Sequence, residues 1–63
     1  MIIKSFYDND KLSEVVYINN NYLKIEFFTE KHNSVIKSRE KYYKNSRLYR
    51  FNKPAIIYYN ESL

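Results

Sequence analysis

The stretch Tyr22-Leu23-Lys24-Ile25-Glu26-Phe27-Phe28 decides the fold, because its apolar and charged side chains alternate with a period of two. In an extended chain, its Leu, Ile and first Phe fall on one face and its Lys and Glu on the other. The triplet Asn19-Asn20-Asn21 comes directly before it. Asparagine tolerates the left-handed backbone region, which this glycine-free chain needs for tight turns. The pattern therefore predicts a strand that a hairpin turn joins to the apolar run 15–18.

The rest of the chain repeats this arrangement of apolar runs between turn-forming residues. We predict further strands at 2–7, 47–51 and 55–59, turns at 8–10, 45–46 and 52–54, and a polar connection over 29–34. Residues 35–43 fit a strand or a helix, and the weak helix propensity of Tyr and Val favours the strand. That strand would carry on one face Val35, Lys37, Arg39, Lys41 and Tyr43.

We therefore expect an all-β protein with a single domain over residues 1–63. It would be a small antiparallel meander of β-hairpins with five or six strands, built in a repeat-like way. The core residues that we predict are Ile3, Val16, Leu23, Ile25, Phe27, Leu48, Ile56 and Ile57.

Length and composition exclude several classes of protein. The chain has 63 residues, no cysteine and one histidine, which excludes a disulfide scaffold and a cysteine-ligated zinc site. It has neither an apolar run of membrane-spanning length nor a signal-peptide pattern, so we expect no membrane partner and a cytoplasmic location, in the host cell if the protein is viral. A domain of about 60 residues buries only about 60% of its surface, which makes a partner or a homodimer plausible.

No set of residues predicts catalysis or a cofactor. His32 lies in a polar segment without a packed nucleophile or acid, although Ser34 and Ser38 are near in sequence. Asp8 and Asp10 offer two carboxylates for a hard cation, but turn formation explains them as well. We therefore predict no enzymatic activity, no catalytic residue, no metal and no cofactor.

Two segments of the chain echo each other. Phe6-Tyr7, an Asn-containing turn and Leu12 recur as Tyr42-Tyr43, Asn45 and Leu48, and a shorter third copy begins at Tyr58. In the second copy, Arg50, Pro54-Ala55 and a further aromatic pair follow. Over residues 42–60 this pattern resembles the MORN-like repeat variants, with Tyr49 at a His position and Ser46 and Lys53 at Gly positions. The resemblance implies a ladder of antiparallel hairpins used for binding, found among other places in viruses and mobile elements, and it implies no catalytic residues.

The net charge of +4 is distributed unevenly along the chain. Residues 1–30 hold three basic and five acidic side chains, whereas residues 31–63 hold eight basic and two acidic ones. Basic residues interleaved with tyrosines favour either protein or nucleic-acid recognition. Our leading hypothesis is a non-enzymatic module that binds a macromolecular partner, with protein favoured, for example as a small viral or mobile-element inhibitor of a host system. The contact residues would be Arg39, Tyr42, Tyr43, Arg47, Tyr49 and Arg50.

The alternative hypothesis is a nucleic-acid-binding protein that uses the same half of the chain. Cations would neutralise phosphates while tyrosine rings stack on unpaired bases. The phosphate contacts would then be Lys37, Arg39, Lys41, Lys44, Arg47 and Arg50.

Overall fold

The structure is a computed structural model that describes residues 1–59. Residues 1–59 form an all-β fold with one six-stranded antiparallel sheet, as predicted. The strands are β1 (Ile2–Phe6), β2 (Leu12–Asn19), β3 (Tyr22–Lys31), β4 (Ser34–Lys44), β5 (Arg47–Leu48) and β6 (Ile56–Tyr58). The first five follow one another across the sheet, and β6 pairs with β4 on the same edge as β5. The strand interpretation of residues 35–43 is confirmed, and no helix occurs among residues 1–59 that could cross a membrane.

Tight turns without glycine connect the long strands. Both residues of the β3–β4 turn have positive φ, 53° at His32 and 66° at Asn33, and the β4–β5 turn repeats these values at Asn45 and Ser46. Two consecutive left-handed residues match the twist of a hairpin, so the flanking strands stay paired up to the turn. The prediction of a polar connection over 29–34 is therefore wrong, since only His32 and Asn33 lie outside the two strands.

The sheet forms a single layer that measures 35 × 27 × 12 Å. Substantial contacts between strands occur only between neighbours in the sheet, and no second layer packs on either side within residues 1–59. The two sides differ in composition. The register places Val15, Glu26 and Glu40 in one row of what we call the polar face, and Val16, Ile25 and Lys41 in one row of what we call the apolar face.

The predicted core is wrong in its burial. Ile3 is 45% exposed and Leu48 49% exposed, and the other predicted core residues are only half-buried. Among residues 1–59, Val15 is the one buried hydrophobic residue, at 4% exposure, and it was not in the predicted core. The reason is that period-2 alternation identifies an apolar face but does not show whether anything covers it.

A β-bulge in β4 changes which residues share a face. Phe27 pairs with Arg39 but Phe28 pairs with Lys37, so Ser38 is the extra residue. Its hydroxyl donates a hydrogen bond to the Phe27 carbonyl (3.2 Å), and its own carbonyl accepts one from the Tyr59 amide (2.9 Å). As a result, Val35 and Lys37 lie on the polar face, and the prediction that they share a face with Arg39, Lys41 and Tyr43 is wrong.

Candidate partner-binding cleft

The short strands β5 and β6 both pair with the outer edge of β4, and the gap between them lies opposite Tyr42. The Tyr49 amide donates to the Tyr42 carbonyl (2.9 Å), and the Tyr42 amide donates to the Ala55 carbonyl (2.8 Å). Residues 50–54 therefore leave the sheet and return to it at the same point, and we call them the looped-out segment. The predicted strand over 47–51 is correspondingly short and ends at Leu48, whereas the predicted turn at 52–54 lies inside the segment. Asn52 has a positive φ of 61° there.

A cleft of about 400 Å³ lies between the looped-out segment and the polar face. We call it the aromatic cleft. Five of its lining residues are tyrosines, and Phe51 of the looped-out segment, 77% exposed, lies at its margin. The complete lining is Tyr17, Asn19, Tyr22, Leu23, Lys24, Tyr42, Tyr43, Tyr49, Arg50 and Phe51.

Cations lie over the rings of four of the five tyrosines around the cleft. The Arg50 guanidinium carbon lies 3.9 Å from the centroid of the Tyr42 ring. The Lys24 ammonium lies 5.3 Å from the Tyr17 ring and 5.7 Å from the Tyr42 ring. The Lys44 ammonium lies between the Tyr22 and Tyr49 rings, at 5.3 and 5.2 Å. Each contact holds a long basic side chain in place and contributes about 0.5–1 kcal/mol at an exposed site.

Two buried carboxylates accept hydrogen bonds from two of the cleft tyrosines. Glu26 and Glu40 are directly opposite each other on β3 and β4 and are the buried polar residues among those that the structure describes. The Tyr17 hydroxyl donates to Glu26 Oε1 and the Tyr42 hydroxyl to Glu40 Oε1, both at 2.7 Å. The Lys37 ammonium donates to both carboxylates, at 3.1 Å for Glu26. Like charges opposite each other destabilise a sheet. Lys37, which bridges the two carboxylates, and the Lys24 ammonium, 3.5 Å from Glu26, offset this repulsion.

These contacts shift the pKa values of the groups involved. Burial alone would raise the pKa of Glu40, but hydrogen bonds from Lys37, Tyr42 and Tyr59 lower it to about 2. Burial and the bond to Glu40 raise the pKa of Tyr42 to about 12. For Glu26, the bonds from Tyr17 and Lys37 outweigh burial and lower the pKa, and the two carboxylates raise the pKa of Lys37. At neutral pH both carboxylates and Lys37 are therefore charged, whereas the tyrosine hydroxyls stay protonated and donate hydrogen bonds to the carboxylates.

The structure distributes the six predicted partner contacts over different surfaces. Tyr42, Tyr43, Tyr49 and Arg50 line the aromatic cleft, and Arg47 lies in an adjoining hollow with Lys44 and Tyr49. Arg39 is on the apolar face, where its guanidinium lies 4.2 Å from the Phe27 ring centroid. Sequence reasoning missed Tyr17, Tyr22 and Lys24 because they belong to the first, acidic half of the chain. Their position opposite β4 follows from the register, which the sequence pattern alone does not give.

The predicted nucleic-acid contacts are divided in the same way. Lys37 is held by Glu26 and Glu40 on the polar face, whereas Arg39 and Lys41 are on the apolar face against Phe27. Lys44, Arg47 and Arg50 remain near the aromatic cleft. The described residues therefore present no continuous basic track that includes all six cations.

The remaining candidate residues lie at the opposite end of the strands. His32 is exposed in the β3–β4 turn, and Asp8 and Asp10 are exposed in the β1–β2 connection. Within residues 1–59, no group of three or more His, Asp or Glu side chains is placed to hold a metal ion. The third copy of the internal echo continues into residues 60–63, outside the described part of the chain.

Comparison of the chain with protein-family models, with curated proteins and with solved structures gives no match in any of the three. The resemblance of residues 42–60 to MORN-like repeats stays a prediction.

Proposed function

We propose that this protein is a non-enzymatic binding module that holds an acidic segment of a protein partner in the aromatic cleft. The observation that carries the proposal is the arrangement of Lys24, Lys44 and Arg50 against tyrosine rings around one cleft. Neither Lys44 nor Arg50 has an ion pair with any residue between 1 and 59. Both therefore remain available to carboxylates of a partner.

Pre-organisation of the cleft supports this function. The rings of Tyr17 and Tyr42 are held by their hydroxyls on Glu26 and Glu40 and by cations on their faces. A binding surface whose side chains are already ordered loses less conformational entropy when the partner arrives. Tyrosine and arginine are also the residue types that contribute most at protein interfaces, and the guanidinium fork of Arg50 suits a carboxylate.

The partner segment that fits this surface combines carboxylates with an apolar side chain. The carboxylates would face Arg50 and Lys44, and the apolar side chain would cover Phe51, which is largely exposed beside them. Nucleic acid fits less well because stacking on bases requires free ring faces, and cations already lie over the rings of Tyr17, Tyr22, Tyr42 and Tyr49. We therefore favour protein over nucleic acid as the partner.

The test uses fluorescein-labelled synthetic peptides rich in Asp and Glu with one aromatic or aliphatic residue, measured by fluorescence anisotropy. We expect Arg50→Ala to weaken the best peptide at least about tenfold, as for a central interface residue. Lys53→Ala is the matched control, since it removes one charge from the looped-out segment without changing a residue that lines the cleft. Its affinity should stay within about twofold of the wild type.

Equal losses in the two variants would show that net charge, and not the cleft, governs binding, and would contradict the proposal. A labelled oligothymidylate, measured in the same assay, tests whether nucleic acid is the partner instead. Tighter binding of that oligonucleotide, with a log–log salt slope of about −0.7 per phosphate contacted, would instead support the nucleic-acid alternative.

A further inference from the structure

The apolar face is a broad hydrophobic surface that nothing within residues 1–59 covers. Its side chains include Val16, Ile18, Leu23, Ile25 and Phe27 on β2 and β3, and all five are half-buried. Ile36, Tyr43, Leu48 and Ile56 continue the same surface towards the far edge of the sheet. Single-layer sheets with one apolar side are stabilised by packing that side against another layer.

Two opposite charges lie on this face and do not pair with each other. Glu14 on β2, Phe27 on β3 and Arg39 on β4 form one row of the register. Two strand spacings separate Glu14 from Arg39, which is about 9–10 Å. Glu14 has no hydrogen bond or ion pair within residues 1–59, and the buried Arg39 Nε has no hydrogen-bond partner there. A half-buried charge without a partner destabilises the isolated chain.

A second copy of the chain, related by a two-fold axis that lies between the two apolar faces and runs close to the direction of β3, would give both charges a partner of opposite sign. Such an axis places β2 of one copy opposite β4 of the other, and each row of the register faces the same row of the other copy. Glu14 of each copy then faces Arg39 of the other, with Lys41 as the nearest further cation. The apolar side chains of the two β3 strands meet at the centre of the interface.

We infer that a second copy of this chain covers the apolar face and forms a two-layer β-sandwich with it. The 35 × 27 Å side of the sheet is large enough for the roughly 800 Å² per partner that a standard interface buries. Two twisted sheets of this kind pack about 10 Å apart with their strands at about −30°, so the two-fold axis bisects the small angle between the two β3 strands. The interface is isologous, so each charge pair occurs twice.

The dimer is independent of the proposed function. Leu23 and Tyr43 belong to both surfaces, but the cations of the aromatic cleft, Lys24, Lys44 and Arg50, are on the other side of the sheet and stay open to a partner. In a β-sandwich of two copies, the two clefts face outward in opposite directions. Failure of the peptide experiment would therefore leave the dimer unaffected, and the reverse also holds.

The test measures mass by light scattering during gel filtration at micromolar concentration. The wild type should have twice the 7.8 kDa mass of one chain. Glu14→Arg alone and Arg39→Glu alone should each weaken dimerisation by about 100-fold or more, since each places like charges opposite each other twice. Mixed together, the two variants should form a heterodimer, because both of its charge pairs are then of opposite sign.

Restoration upon mixing also covers the case in which either variant is unfolded alone. Lys4→Glu is the control, since it reverses a charge on the edge strand and on the polar face, and it should leave the dimer intact. A folded monomeric wild type would overturn the inference. Dimers that survive both single charge reversals, or single variants that stay monomeric when mixed, would overturn it as well.

Discussion

Several turn residues adopt the left-handed backbone conformation, which is energetically unfavourable for residues other than glycine. Seven residues other than glycine have positive φ among those described, from Asp10 to Asn52. Asn and Asp reach this region more easily than other residues because their short side chains bond locally. Ser46, with a φ of 66°, has less of this advantage. The sequence predicted the turn at Asn45-Ser46, but its left-handed geometry became known only from the structure.

Replacement of Ser46 by glycine should therefore stabilise the protein by about 0.5–1 kcal/mol, because glycine adopts positive φ without a steric penalty. Urea unfolding at fixed protein concentration measures the change. Ser13→Gly provides the contrast, since Ser13 lies within β2 and glycine there should destabilise by a similar amount. A destabilised Ser46→Gly variant would show that the serine contributes an interaction that outweighs its backbone strain.

At the scale of elements, β4 determines what each side of the sheet carries. Its strand character was predictable from the weak helix propensity of its Val and Tyr residues. The bulge at Ser38 was not predictable, because nothing in the local pattern distinguishes Ser38 from its neighbours. The bulge decides that Lys37 reaches Glu26 and Glu40 instead of joining Arg39 on the apolar face.

Lys37→Met should therefore leave two carboxylates opposite each other without their shared cation. We expect a loss of about 3 kcal/mol at neutral pH, because buried Glu40 loses its one ion pair among the described residues and Glu26 keeps only the contact with Lys24 at 3.5 Å. The loss should shrink as the pH falls and the carboxylates become protonated. Chemical unfolding at neutral and mildly acidic pH measures both effects.

Lys41→Met is the matched control for this experiment. Lys41 is on the same strand but on the apolar face, where its described contact is with the Phe27 ring at 5.8 Å. We expect less than about 1 kcal/mol for that variant. If the two variants lose the same stability with the same pH dependence, the carboxylate pair does not depend on Lys37.

For the whole molecule, the buried polar cluster sets the pH range of stability. The pKa of Glu40 is about 2 in the folded chain against an ordinary 4.5, so its contribution is present above pH 4.5 and is lost as the pH falls towards about 2. The pKa of Tyr42 is about 12 against an ordinary 10.0, so its contribution is present below pH 10 and is lost as the pH rises towards about 12.

Thermal unfolding across this pH range should therefore show a plateau with an acid and an alkaline decline. Glu40 alone corresponds to roughly 3 kcal/mol on the acid side, since lowering its pKa from 4.5 to about 2 stabilises the folded chain by about that much above pH 4.5. Glu40→Gln should be less stable at neutral pH and flatter below pH 4.5. An acid decline that is equally steep in this variant would assign the effect to other carboxylates.

The overall architecture was more predictable than the burial within it. Alternation along residues 22–28 and asparagine turns were sufficient for an antiparallel meander, because both are local signals. Burial is not local: Val15 and the two glutamates are the most buried residues because they occupy the central row of the polar face. The composition of the aromatic cleft also depends on which strands are neighbours, which explains why two of its five tyrosines, Tyr17 and Tyr22, were missed.

The looped-out segment forms a wall of the aromatic cleft without taking part in the strand pairing. Residues 50–54 begin and end at Tyr42, so a change in their length or sequence leaves the register of every strand pair as it is. The cleft wall that they form can thus diverge while the sheet stays constant. For protein engineering, the same five positions are a natural place for a randomised library, with Tyr49 and Ala55 kept as fixed anchors.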